Sequence, residues 1–259
     1  MKTVVRGFVA LLLSMIGSMA QGITYTATGQ GDATNKTLSA SASFAVFDQK
    51  LIITLSNTAT YDANDANDIL TAIFFSITGN PTLSGTSAVL GPDTAIKNRP
   101  GMSGPGMNVG GAWAYHDSPT GLPHDATEEI SIANLKSFGK GSRFSGLKLA
   151  PSGGAAFGVT TDFDSLGNDK GSFKHQQLIE NTVVFTMGGL PTNFTLADIS
   201  DVSFQYGTDL KSADLDLAGT IDGGSNGNST VPEPTTTMLV VAGLLGTFAL
   251  ARKPRGSPP

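Results

Sequence analysis

The chain has 259 residues and a formal net charge of −5, and only 14% of its residues are charged, against about 25% in an ordinary soluble chain. Eleven of the 16 basic and 20 of the 21 acidic residues lie between residues 21 and 230, so that stretch carries −9 and disfavours nucleic-acid phosphate. With no Cys, the chain is not a disulfide scaffold, a zinc finger or a cysteine-nucleophile enzyme.

The N-terminus has three parts. Lys2 and Arg6 precede the short apolar run Phe8 to Ile16, and Gly17-Ser18-Met19-Ala20 then offers small residues before Gln21. This order predicts a helical secretory signal peptide over 1–20, cut between Ala20 and Gln21 by the secretion machinery. The apolar run is too short to cross a hydrocarbon layer of about 30 Å.

Residues 21–222 read as one all-β domain. Ala40, Ala42, Phe44 and Val46 alternate with Ser39, Ser41 and Ser43, and Leu51, Ile53 and Leu55 alternate with Ile52 and Thr54. Ile73-Ile77, Val183-Met187 and Val202-Tyr206 repeat the period of two. Turn chemistry separates the runs, as in Thr78-Gly79-Asn80-Pro81 and Gly91-Pro92-Asp93. The pattern predicts an antiparallel β-sandwich or jelly-roll-like domain, with Leu51, Ile53 and Leu55 packed against Phe204 and Tyr206. Only Ala126 to Leu135 suggests a helical turn or two, and the Gly- and Pro-rich Asn98 to Gly111 suggests a long exposed loop.

Several runs carry candidate chemistry. Asp62, Asn64, Asp65 and Asp68 fall within seven residues, and oxygen ligands at that density suit Ca²⁺. The spacing lacks the Gly of a calcium-binding EF-hand loop, and Asn and Asp also favour plain connecting loops. Asp162-Phe-Asp164-Ser-Leu-Gly167 is a second oxygen-rich run. Trp113 and Tyr115 lie two apart, so on a strand they share a face, either as a platform for stacking a sugar or as core. His116-Asp117 and His124-Asp125 offer imidazole beside carboxylate for a metal or a general base, or are plain loop residues. Glu128 and Glu129 keep open a two-carboxylate glycan hydrolase, for which separation in space decides. No nucleophile elbow, zinc-protease motif or phosphate loop is present. No cofactor is called for beyond that calcium option, and the expectation is a protein that is not an enzyme.

The C-terminus closes with a tripartite pattern. A Gly/Ser/Asn linker at 223–230 leads to Val231-Pro232-Glu233-Pro234. Residues 235–251 hold no charge, and as a helix they would be about 25 Å long, enough for a single transmembrane pass of a thin bilayer. Arg252, Lys253 and Arg255 then form a basic stop that stays cytoplasmic.

Residues 231–257 closely resemble the PEP-CTERM protein-sorting signal. The same region is also labelled an ice-binding protein C-terminal domain, since some ice-binding proteins carry it. Thr34 to Ser43 lacks the regular Thr-x-Thr array of an ice-binding ladder. The resemblance implies that Val231, Pro232, Glu233 and Pro234 form the recognition element for exosortase, a membrane-embedded protease. Exosortase is expected to remove the tail after a transient stay in the inner membrane. The protein then passes to the cell surface or extracellular matrix of a Gram-negative, exopolysaccharide-making bacterium. Asn181 to Thr208 is in addition similar to the last strands of exosortase-dependent surface proteins, a likeness that implies no activity. The role expected is structural or adhesive, with exopolysaccharide as a partner; the alternative is a carbohydrate-binding module using Trp113, Tyr115 and calcium.

Overall fold

A computed structural model describes residues 22–31, 35–63, 65–97, 104–133, 135, 141–146, 154–161, 176–208 and 216–221. Fourteen strands form two curled sheets, and no α-helix occurs among the described residues. The strands are β1 (Gly22–Gly31), β2 (Lys36–Phe47), β3 (Lys50–Asn57), β4 (Leu70–Ile77), β5 (Ser84–Leu90), β6 (Trp113–Asp117) and β7 (Glu128–Ile132). They continue as β8 (Ser142–Arg143), β9 (Val159–Thr160), β10 (Ile179–Glu180), β11 (Thr182–Gly188), β12 (Ile199–Tyr206), β13 (Asp216–Ala218) and β14 (Thr220–Ile221). The first sheet has the order β14-β1-β2-β3-β11-β5. The second runs β10-β9-β4-β7-β6-β8, with β12 also on β4 and β13 on β12. Among the named strands only the short β9–β10 pair is parallel.

The period of two explains the layers. In β2, Leu38, Ala40, Ala42 and Phe44 are buried, while Thr37, Ser39, Ser41 and Ser43 lie on the outer face. Register carries that outer pattern across neighbouring strands, aligning Thr26, Ser41, Ser56 and Thr182 in one row of hydroxyls. β4 reads Leu-Thr-Ala-Ile-Phe-Phe-Ser-Ile and is buried at every position, as a central strand covered on both faces requires.

Both sheets contribute to one core. Leu51, Ile53 and Leu55 of the first sheet and Phe204 and Tyr206 of the second are fully buried in it, as the alternation predicted. Phe44 and Phe75 meet edge to face across the sheets at 5.5 Å. Two phenols tie the layers: Tyr25 donates to the Ile199 carbonyl at 2.8 Å, and Tyr206 donates to the Ser39 carbonyl at 2.6 Å. Each tie is worth about 1 kcal/mol, more than its length suggests because an orphaned buried carbonyl would cost more.

Two expectations are corrected. The segment expected to make helical turns, Ala126 to Leu135, forms β7 instead, with a 3-10 turn at Pro123–Asp125 just before it. Pairing with β4 and β6 overrides the local preference of Glu128 and Glu129. Asn98 to Gly111 is no free loop at its end, since Val109, Gly110 and Gly111 are buried and Gly110–Ala112 forms a 3-10 turn. No helix among the described residues is long and apolar enough to cross a membrane. The predicted signal peptide, the linker and the predicted span at 235–251 lie outside the described residues.

Candidate functional site

The β6–β7 hairpin builds the site. Its register pairs Trp113 with Ile132, Ala114 with Ser131, Tyr115 with Ile130 and His116 with Glu129. Alternation sends Trp113, Tyr115, Glu128, Ile130 and Ile132 to the core side. Ala114, His116, Glu129 and Ser131 go to the opposite face. β8 adds Arg143 directly opposite Ala114.

These small and polar residues leave a cavity of about 320 Å³ on that face, lined by Ala114, His116, Glu129, Ser131, Leu135 and Arg143 among others. The hollow exists because its centre is small. Ala114 sits between Ser131 and Arg143 in one cross-strand row. Gly141 completes the lining, and a Cβ there would stand 2.6 Å from the Tyr115 carbonyl oxygen.

The polar groups in the cavity are unequal. Glu129 is buried, with 3% of its surface exposed, and its Oε2 has no hydrogen-bond partner. His116 Nδ1 lies 3.7 Å from that oxygen, beyond hydrogen-bond reach, and is itself unpartnered. Burial pushes the Glu129 carboxyl up from its ordinary range, and the Ser131 hydroxyl and nearby imidazole oppose the shift. Arg143 is exposed at the rim, and its guanidinium donates to the Gly111 carbonyl at 2.9 Å, which orients the fork.

The inward face holds a different pair. The Tyr115 hydroxyl donates to Glu128 Oε2 at 2.5 Å inside the protein. Desolvation raises the Glu128 carboxyl from 4.5 to about 7, with Asp117 adding to the rise and the Tyr115 and Thr127 hydrogen bonds opposing it. Glu128 and Glu129 therefore face opposite sides of one strand and do not flank a common substrate, which removes the carboxylate pair considered for a hydrolase.

The aromatic platform is corrected too. Trp113 and Tyr115 do share a face, but it is the core face: they are 0% and 4% exposed, and Trp113 packs edge to face on Phe185 at 5.0 Å. Buried rings cannot stack on a sugar.

The Asp-rich loop already holds a cation of the chain's own. Lys36 Nζ donates to the Asp62 carbonyl at 2.8 Å and to Asp68 Oδ2 at 3.0 Å, and lies 4.6 Å from the centre of the Tyr61 ring. Asp65 caps the 3-10 turn Ala66–Asp68 through the Asn67 amide, and Asp68 returns a bond to the Asp65 amide. The ammonium sits among oxygens of the run weighed as a calcium site. Asn64 lies outside the described residues, as do the second oxygen-rich run at 162–169 and His175. Among the described residues no group of three or more His, Asp or Glu side chains is placed to hold a metal ion.

Of the two His-Asp pairs, His116 lies within β6 and not in a loop, and His124 is exposed on the 3-10 turn with φ 53°. Arg143, Ser131 and Ala114 were not singled out in the sequence. The alternation Glu129-x-Ser131 opposite Ala114-x-His116 is the signal that could have found two of them.

The described residues thus form a two-sheet β domain, and the one stretch that matches a known family lies near the C-terminus. A family model for the PEP-CTERM protein-sorting motif matches residues 230–253, so the chain carries a PEP-CTERM sorting signal, which supports exosortase-dependent export to the surface. Val231, Pro232, Glu233, Pro234, Arg252 and Lys253 fall within the match, and all lie outside the described residues with Ala20, Gln21 and Arg255. No curated protein and no solved structure matches the chain.

Proposed function

We propose that this protein is a surface or extracellular-matrix component whose β-sandwich is the working unit. The signal peptide starts export, the tail holds the chain briefly in the inner membrane, and exosortase releases the domain to a polysaccharide matrix. Its role there is structural or adhesive and not enzymatic. The observation that carries the reading is the sorting motif at residues 230–253. Two features support a non-catalytic role: the opposed faces of Glu128 and Glu129, and the Lys36 ammonium seated in the acidic loop.

The test replaces Pro232-Glu233-Pro234 with Ala-Ala-Ala and reads intact mass in membrane and medium. The native chain is expected outside the inner membrane, lacking residues 1–20 and the apolar tail. The variant is expected uncleaved in the membrane. Release of the variant at the native mass would overturn the proposal.

A further inference from the structure

We infer that the cavity between β6, β7 and β8 is a binding site for a neutral saccharide unit, recognised through adjacent hydroxyls. The inference deepens the polysaccharide association proposed above and relies on that reading only for where the sugar is met.

The argument begins with what the cavity lacks. Glu129 is nine-tenths buried or more, yet Oε2 accepts nothing, and His116 Nδ1 beside it is also unpartnered. Leaving a buried polar atom unsatisfied is costly, and more so for a charged group. A buried acceptor of this kind suits a ligand that brings a donor. The adjacent Glu128 shows the contrast, since the Tyr115 hydroxyl donates to its Oε2.

The mixture of charges then selects the ligand. Arg143 at the rim repels a cation, and Glu129 in the wall repels an anion. A hydroxyl suits both, because one oxygen donates to a carboxylate while it accepts from a guanidinium or a Ser hydroxyl. Successive rows on one face of a sheet are about 7 Å apart and strands about 5 Å apart. Glu129 and His116 occupy one row, and Ser131, Ala114 and Arg143 the next. Groups at that spacing reach different hydroxyls of a single sugar ring. Ala114 and Leu135 supply the apolar surface on which the ring's C–H face rests. The volume, about 320 Å³, stands at the small end of small-molecule sites, about 300–1,000 Å³, which suits a sugar ring and little more.

The experiment uses the full chain in a non-glycosidic detergent, with methyl glucoside, methyl galactoside and methyl mannoside as probes. Glucuronate and glucosamine serve as anionic and cationic controls, and saturation-transfer NMR with calorimetry reads binding. At least one neutral glycoside is expected to bind more tightly than either charged sugar. Glu129→Gln and His116→Ala are each expected to weaken it about tenfold. Ala114→Leu, which fills the hollow with apolar volume, should abolish binding while the circular dichroism spectrum stays native. Preference for a charged sugar, unchanged affinity in the folded Ala114→Leu variant, or no binding of any neutral glycoside would overturn the assignment. None of these outcomes bears on tail cleavage, so failure here and failure of the sorting route are read separately.

Discussion

Single residues in this protein settle matters of charge that its low charge content makes conspicuous. Lys36 pairs with Asp68, whose side chain is fully buried, and removing the ammonium takes that ion pair away from a buried carboxylate. Lys36→Met is expected to cost about 3 kcal/mol in urea unfolding. Added calcium or chelator should leave the melting temperature of the native chain unchanged, because the ammonium already fills the loop. Glu128 acts in the opposite sense. Its carboxyl is raised from 4.5 to about 7, so the folded state binds a proton more readily than the unfolded state. Between these values the unfolded chain carries fewer protons, and stability falls as pH rises. The contribution is fully present below about pH 4.5 and lost through about pH 7, a change of about 2–3 kcal/mol. Glu128→Gln should flatten that part of the stability profile relative to native, as read from urea midpoints between pH 4 and 8. An unchanged difference between the two proteins across that window would contradict the assignment.

At the scale of elements, turns and registers carry the information. β2 and β3 pair through Phe47 and Lys50, leaving Asp48 and Gln49 as a two-residue loop. Both residues are left-handed, with φ 49° and 55°, as the twist of a tight hairpin requires. Gln pays for that conformation, and Gln49→Gly is expected to raise stability by about 1 kcal/mol in urea melts. Most strands were legible because one face of each is buried: Ala40-x-Ala42-x-Phe44 and Val183-x-Phe185-x-Met187 show the period directly. β7 was not, because Glu128 sits in a strand core with the Tyr115 hydroxyl as its donor, and Glu129 lines a cavity closed by side chains of β6 and β8. Such partners come from another strand and leave no local mark. Trp113 and Tyr115 were rightly placed on one face, but period alone does not say which face is inside. Arg143 joins the cavity through β8, a strand of only two residues, too short to show any period. The hydroxyl row of Thr26, Ser41, Ser56 and Thr182 likewise exists only across strands, not along one.

For the whole molecule, one short segment stands between the packed domain and the C-terminal sorting motif. β13 pairs with β12 in the second sheet, and β14, one residue further, pairs with β1 in the first. Gly219 makes the crossing, its amide donating to the Val202 carbonyl at 2.6 Å, and a Cβ there would stand 2.9 Å from that oxygen. Residues 216–221 are therefore a clasp between the two layers, held by three ladder pairs on one side and two on the other. The sorting motif begins within ten residues of Ile221. Force applied to the tail is transmitted first to this clasp, whose few pairs yield long before the ten-pair ladder of β1 and β2. A chain tethered by its tail thus carries its load on the seam of its fold.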